Sequence, residues 1–347
     1  MLYISQTALE LGFLYALVAM ALFLSYRILD IADMTTDGCF VLGTAVSVTF
    51  AASGHPFLAI PAAMFAGVCA GFVTAFLQTH LGVPSILAGI VTNMGLYTIN
   101  LMAMGWSSNV SLLKTATIFT IFHATGIGGA WYEALLAGLV TIAAGVLLIL
   151  FLGTRLGLSI RATGNNIEMV RASSINPAFT ITVGLCVSNS LTALSGAMVG
   201  QYQNTADINA GTGIVVIGLA CLIIGETVLG RRSMIRGALA AILGSIIYRF
   251  IYAYVLYTKI MPVQALKLVT AVVVALAIAF PSIKAWLQFQ KRKMAAPRRV
   301  LPKTAAHPTV SVSDASDIFP GTSSSLSDTV NVISDTPDRA QSGKEVN

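Results

Sequence analysis

The chain has 347 residues, 56% of them hydrophobic and only 10% charged, with a formal net charge of +6. With a mean hydropathy of +0.82, this composition excludes an ordinary soluble domain. It leaves a membrane body, for which no nucleic-acid partner is expected.

A helix needs roughly 20 mainly apolar residues to cross the hydrocarbon core. Backbone in lipid must satisfy its own hydrogen bonds, so only helices or a closed barrel can span. The apolar runs here are continuous rather than alternating, which points to an all-α polytopic helical bundle. In chain order they cover 8–29, 34–53, 57–78, 84–105, 131–153, 177–200, 214–230, 235–257 and 263–283, which predicts about nine spans in a range of eight to ten. The second run opens on a polar stretch (Asp33 to Cys39) that contains Gly38, and reads as a broken helix as readily as a full crossing. No signal peptide is expected, because Glu10 rather than Lys or Arg stands before the first long run and no small-residue cleavage site is clear.

Basic residues in short loops set orientation. Arg155, Arg161 and Arg171 flank one connection, Arg231, Arg232 and Arg236 another, and Lys284, Lys291, Arg292 and Lys293 follow the last run. These regions are two spans apart, so all three can be cytoplasmic together. The stretch from Trp106 to Ala130, with Lys114 alone, then lies outside, as does the N-terminus.

The chain divides near residue 284, giving a membrane domain over 1–283 and a tail over 284–347. The basic segment 284–303 is a topological anchor and would attract anionic lipid. Residues 304–347 are rich in Ser, Thr, Asp and Pro and are expected to be disordered. There is no phosphate-loop motif, so the chain is not itself a P-loop ATPase. Cys39, Cys69, Cys186 and Cys221 lie singly in apolar runs, and His55, His80, His123 and His307 are isolated, so neither metal nor cofactor is expected. Nothing resembles a nucleophile with its base, and an enzyme is not expected.

A polar island, RATGNNIEMVRASSI (Arg161 to Ile175), interrupts the apolar runs. Asn165 reads as its N-cap, with Glu168 three residues later reaching back as in a capping box. Glu168 and Arg171 form an i, i+3 pair, while Ile167, Val170 and Ser174 share another face. Pro177 closes the segment, because the residue before a proline avoids the helical region. A helix of about ten residues does not hold alone in water. It must dock, either on this chain's own loops or on a separate partner.

The island resembles the cytoplasmic coupling loop of ATP-binding-cassette importer permeases of the branched-chain amino-acid and ribose superfamily. The shared pattern is Arg161-Ala162-x-Gly164-x-Asn166-x-Glu168-x-x-Arg171, then a small residue and Ile175. A second stretch, Leu14 to Val46, is similar to the opening of the tryptophan/tyrosine-type permease subgroup, and the likeness extends to about residue 283. Ser174 departs from the pattern, since glycine is common there in the superfamily. The resemblance implies a type II importer-like permease in the bacterial inner membrane, with a cytoplasmic C-terminus. It would pair with a second permease subunit to form the pore and take a small solute, such as an amino acid, from an external binding protein. Cytoplasmic ATPase subunits would receive the coupling helix. Arg161, Glu168 and Arg171 would make the charged contacts, with Asn165 the cap, Gly164 the turn and Asn166 beside it.

Polar residues within spans tend to face a cavity or the bundle interior. Asp37 and Gly38 at the broken second span, Asn93 and Asn100 on one helix face, and Asn189 are the expected translocation-path residues. Asp30 and Asp33 read as a wet loop, and Glu226 as a helix-end partner of Arg231 or Arg232. The pairs Gly67/Gly71 and Gly196/Gly200 mark close helix packing, within the subunit rather than between subunits. The run Thr117 to Phe122 is expected at the interface or dipping into the membrane. An ion-coupled secondary transporter, with Asp37 and Glu226 carrying protons, is the alternative function; a non-transporting scaffold ranks third.

Overall fold

The computed structural model describes residues 2–112, 115–124, 129–230 and 233–257, with isolated positions between 271 and 279. Most of the ninth apolar run, the basic segment, the tail, Lys114, Arg231 and Arg232 lie outside the described residues.

The bundle opens with α1 (Leu2–Leu22), whose last turns widen into a π-helical stretch, Phe23–Ile28. Then come α2 (Thr36–Ala52), α3 (Pro56–Thr79), α4 (Ser85–Ala103), α5 (Ile118–Ala124) and α6 (Tyr132–Gly153). After these follow α7 (Arg155–Asn165), α8 (Ile167–Ala172), α9 (Pro177–Gln203), α10 (Ile214–Leu229) and α11 (Met234–Tyr257). Six described helices are long and apolar enough to cross a membrane: Ile4–Ile28, Pro56–Thr79, Ser85–Ala103, Tyr132–Gly153, Pro177–Gln203 and Met234–Tyr257. The runs expected at 34–53 and 214–230 form the shorter apolar helices α2 and α10. A small antiparallel ribbon, β1 (Asn109–Ser111) with β2 (Thr205–Asp207), pairs Val110 with Ala206 at one end of the bundle.

The two most buried spans, α1 and α9, form the axis on which the others pack. They run antiparallel: Ser195 Oγ donates to Leu14 O, and Ser188 Oγ to Ala21 O at the other end. In contrast, α2 runs parallel to α9. Cys39 Sγ donates to Asn189 O, Thr44 Oγ1 to Gly196 O and Ser47 Oγ to Ala197 O, a ladder climbing both helices in the same direction. Such contacts require the backbones to touch. A Cβ at Gly196 would collide with Phe40 O, and one at Gly67 would meet the Asn189 carbonyl. Gly71 lies likewise against Leu185 O and Gly200 against Thr44. Both glycine pairs therefore pack helices of the same chain.

Between α1 and α2 the chain leaves the helical path over residues 29–35, with Asp30 at φ 57°. This break is buried and stitched rather than wet. The Asp33 carboxylate accepts from Thr35 N (2.9 Å) and Asn189 Nδ2 (2.7 Å), and the Thr35 and Thr74 hydroxyls bond to each other. Asp33 thus corrects the expectation of a solvated loop, whereas Asp30 is exposed. Water is replaced at Asp33 by an amide from α9, because a bare buried carboxylate costs several kcal/mol, on the order of the penalties seen for unpaired ions.

The Thr117 to Phe122 run starts α5, a short helix lying on the bundle end. Gln201 Oε1 accepts from Ile118 N at 2.9 Å, and Phe119 meets Tyr202 edge-on. Glu10 is buried in the same region, held by Gln6 and by the Tyr202 hydroxyl at 2.7 Å.

Candidate translocation site and coupling surface

The short helices α2 and α10 meet nose to nose. α2 begins at Thr36, level with the middle of α9, and α10 begins at Ile214 beside it. The Asp37 side chain joins them, Oδ2 accepting from Gly213 N (3.1 Å) and Oδ1 from Val215 N (2.8 Å). A carboxylate on the unpaired N–H groups of a helix N-terminus is a favourable arrangement, worth about 0.5–1 kcal/mol where partly screened. Gly213, at φ 86°, adopts the left-handed turn that aims its N–H at Asp37.

Beside this junction is a cavity of about 400 Å³ between α2, α4 and the 208–212 turn. Asp37, Gly38, Asn93 and Asn100 all line it, so four of the five residues expected on the path converge. Asn100 Nδ2 donates to Gly38 O at 3.0 Å, and Asn93 Oδ1 fills the space that a Cβ on Gly38 would take. Val41, Met94, Tyr97 and Ile208 supply apolar wall, and Asn209, Gly211 and Thr212 close the side towards the ribbon. The last three escaped the sequence reading. The polar string Asp207-Ile-Asn-Ala-Gly-Thr-Gly213 before an apolar run was the available signal.

Asn189 does not join them. It is buried and bound to Asp33 and Leu185 O, so it braces the helix break instead of lining the cavity. It lies across α2 from that cavity because Gly67 and Cys39 bring α3 and α2 onto its backbone. Glu226 has Arg27 Nε, at the end of the first span, 3.2 Å from its Oε1, while the partners expected for it, Arg231 and Arg232, lie outside the described residues. The parallel course of α1 and α10 brings these two ends together.

The polar island forms two helices rather than one. Thr154 Oγ1 caps α7, accepting from Gly157 N, and Asn165 is the last residue of α7 instead of the expected cap. Asn166, extended at φ −160°, starts α8 with Oδ1 accepting from Met169 N at 3.0 Å. The cap falls one residue later because α7 runs on through Gly164. A Cβ at Gly164 would strike Ile28 O, so this glycine is a packing contact against the first span, not a turn. The Thr163 hydroxyl, bonded to that of Thr180, fixes α7 on α9. On α8 only Val170 is buried; Ile167 and Met169 are 42% and 69% exposed, beside the exposed Glu168–Arg171 pair at 3.1 Å. Arg161, half-buried, lies on α7 away from that pair's turn. Ser174 follows α8 in the left-handed region, φ 60°, the conformation that suits glycine after a helix.

A family model described as the branched-chain amino acid transport system permease component matches residues 5–280. A tyrosine transport system permease protein of Clostridioides difficile is 31% identical over 280 residues, covering 80% of this chain and 92% of its own length. A protein of Rickettsia prowazekii with no assigned role is 31% identical over 282 residues, covering 80% of this chain and 97% of its own. No solved structure matches significantly. With its apolar bundle and the polar island at one end, the chain is a multi-pass membrane protein and belongs to the permease family of branched-chain amino acid transport systems, the membrane subunits of ATP-binding-cassette importers.

Proposed function

We propose that this permease carries an amino acid past the Asp37 junction and is driven through α8 by a cytoplasmic ATPase. The observation that carries the reading is the exposed surface of α8. A short helix whose Ile167 and Met169 face outwards beside a charged pair leaves apolar area for a partner to cover. Its single buried side chain, Val170, anchors it to the bundle, and α7 ties it rigidly to the end of the first span and to α9. Motion imposed on α8 would therefore reach the two axial helices. In this reading α8, Arg155, Arg161 and Arg171 face the cytoplasm, and the ribbon, α5 and the N-terminus face the binding protein outside. Two permease subunits form the pore, each with the eight described apolar helices and a ninth span in 263–283, followed by a cytoplasmic tail. The tyrosine transport relative makes an aromatic amino acid the first solute to try.

The test is to purify the protein from its native membrane with and without Glu168→Arg. Wild type is expected to retain a P-loop ATPase and the variant to lose it, with insertion unchanged. Equal retention, or wild-type transport by the variant, sinks the docking model. Uptake that follows an ion gradient without ATP would select the secondary-transporter alternative.

A further inference from the structure

The cavity beside Asp37 is built unevenly. A zwitterionic solute brings a carboxylate and an ammonium, and a site for both would offer donors at one end and acceptors at the other. The natural donor set here is the N-terminus of α10, an anion-binding feature in other settings. It is already occupied, since Asp37 takes the Gly213 and Val215 amides for itself. Among the described residues, neither Lys, Arg nor His lines the cavity. Asp37 is the one carboxylate among the described lining residues, and the other polar side chains are neutral amides and hydroxyls. Asn100 is 1% exposed, and its Nδ2 is committed to Gly38 O, which fixes the orientation of the amide. Its Oδ1 is thereby a buried acceptor without a hydrogen-bond partner. Unpaired buried acceptors are uncommon, and each asks for a donor. Asn93 contributes a second amide oxygen over Gly38, and the Asp37 carboxyl group lies in the same wall.

Resting on the transport reading above, we propose that this cavity is an amine-selective subsite. It takes the protonated amino group of the solute on Asn100 Oδ1, Asn93 Oδ1 and Asp37, and leaves the carboxylate unbound. An ammonium has three donors and no acceptor, which suits three acceptor groups. The apolar flank of Val41, Met94, Tyr97 and Ile208 then receives the carbon skeleton, and Tyr97 adds an aromatic face to which a cation is attracted. The permease would thus check for the amine, while recognition of the carboxylate falls elsewhere in the transport system. A solute without its carboxylate should still fit; one without its amine should not.

The probes are 2-phenylethylamine and 3-phenylpropionate, which share a skeleton and differ in the charged end, with L-phenylalanine as the zwitterion. Binding is measured by equilibrium dialysis on the full-length permease in lipid nanodiscs, for wild type, Asp37→Asn and Asn93→Leu. The amine and the zwitterion are expected to bind, and the acid at least about tenfold more weakly, a difference of about 1.4 kcal/mol. Asn93→Leu, which leaves both the Asp37 cap and the Asn100 bond in place, is expected to weaken the amine and not the acid. Binding of the acid as tight as that of the amine, an unchanged amine affinity in both variants, or no binding of either probe overturns the proposal. Binding-protein-dependent, ATP-driven amino-acid uptake by the reconstituted complex is scored separately. Uptake without amine preference removes only the subsite, whereas amine binding without uptake removes the transport reading.

Discussion

Single positions in this protein divide into those that hold the fold and those left free to act. Asn189 belongs to the first kind, because its amide is the partner that makes a carboxylate at Asp33 tolerable in the bundle interior. Asn189→Leu is expected to lower thermal stability of the purified protein by about 1–2 kcal/mol, the range of interhelical polar contacts in membranes. Adding Asp33→Leu should recover part of that loss, since the orphaned carboxylate is then gone; a further full loss would mean that the two act independently. Ser174 is strained in the other direction. A non-glycine residue at φ 60° costs about 1 kcal/mol, so Ser174→Gly should raise the melting temperature without altering uptake. Neither role was visible in the sequence alone. Asn189 read as a path residue because polarity within a span marks interior position but not which interior. Asp37 and Asn100, equally polar, do line the cavity.

Among the elements, α8 is the one whose boundaries matter most. Sequence pattern located a capped helix between Arg161 and Ile175 but set the cap at Asn165, where the structure uses Asn166. Both are asparagines, and only the packing of Gly164 on Ile28 O decides that α7 absorbs the first of them. Asn166→Ala should therefore cost roughly 1 kcal/mol of helix stability and reduce ATPase recovery in the pull-down, while Asn165→Ala leaves recovery near wild type. The reverse order would restore the original cap. The two short apolar helices are the other lesson at this scale. Hydropathy found both runs, yet could not tell that α2 and α10 both begin at their meeting point, with Asp37 of α2 seated on the N-terminus of α10. Hydropathy reports length in lipid, and a helix that starts inside the bundle is apolar over its remaining length all the same.

The bundle as a whole has two unlike ends. One carries Arg27, Glu226 and the α7–α8 island; the other carries the ribbon, α5 and the buried Glu10. With the island cytoplasmic, a cysteine placed at Ser173 of a cysteine-free chain should react with an impermeant maleimide only after permeabilisation. One placed at Ser108 should react in intact cells. The opposite pattern would invert the permease and leave α8 with no ATPase to meet.

Composition and the continuous apolar runs by themselves determined that the chain is a helical, multi-pass membrane protein, because backbone in lipid is satisfied only in helices or a closed barrel, and runs that do not alternate select helices. Spacing also determined the Glu168–Arg171 pair, since neighbours three apart on a helix meet whatever surrounds them. Tertiary structure alone decided which polar side chains share a wall. The Asp37 cavity joins residues 37, 93, 100 and 212, brought together by parallel packing of α2 on α9 and by the close approach of α4 to Gly38. Such contacts depend on how backbones touch at glycines, a relation between distant segments that no local pattern encodes.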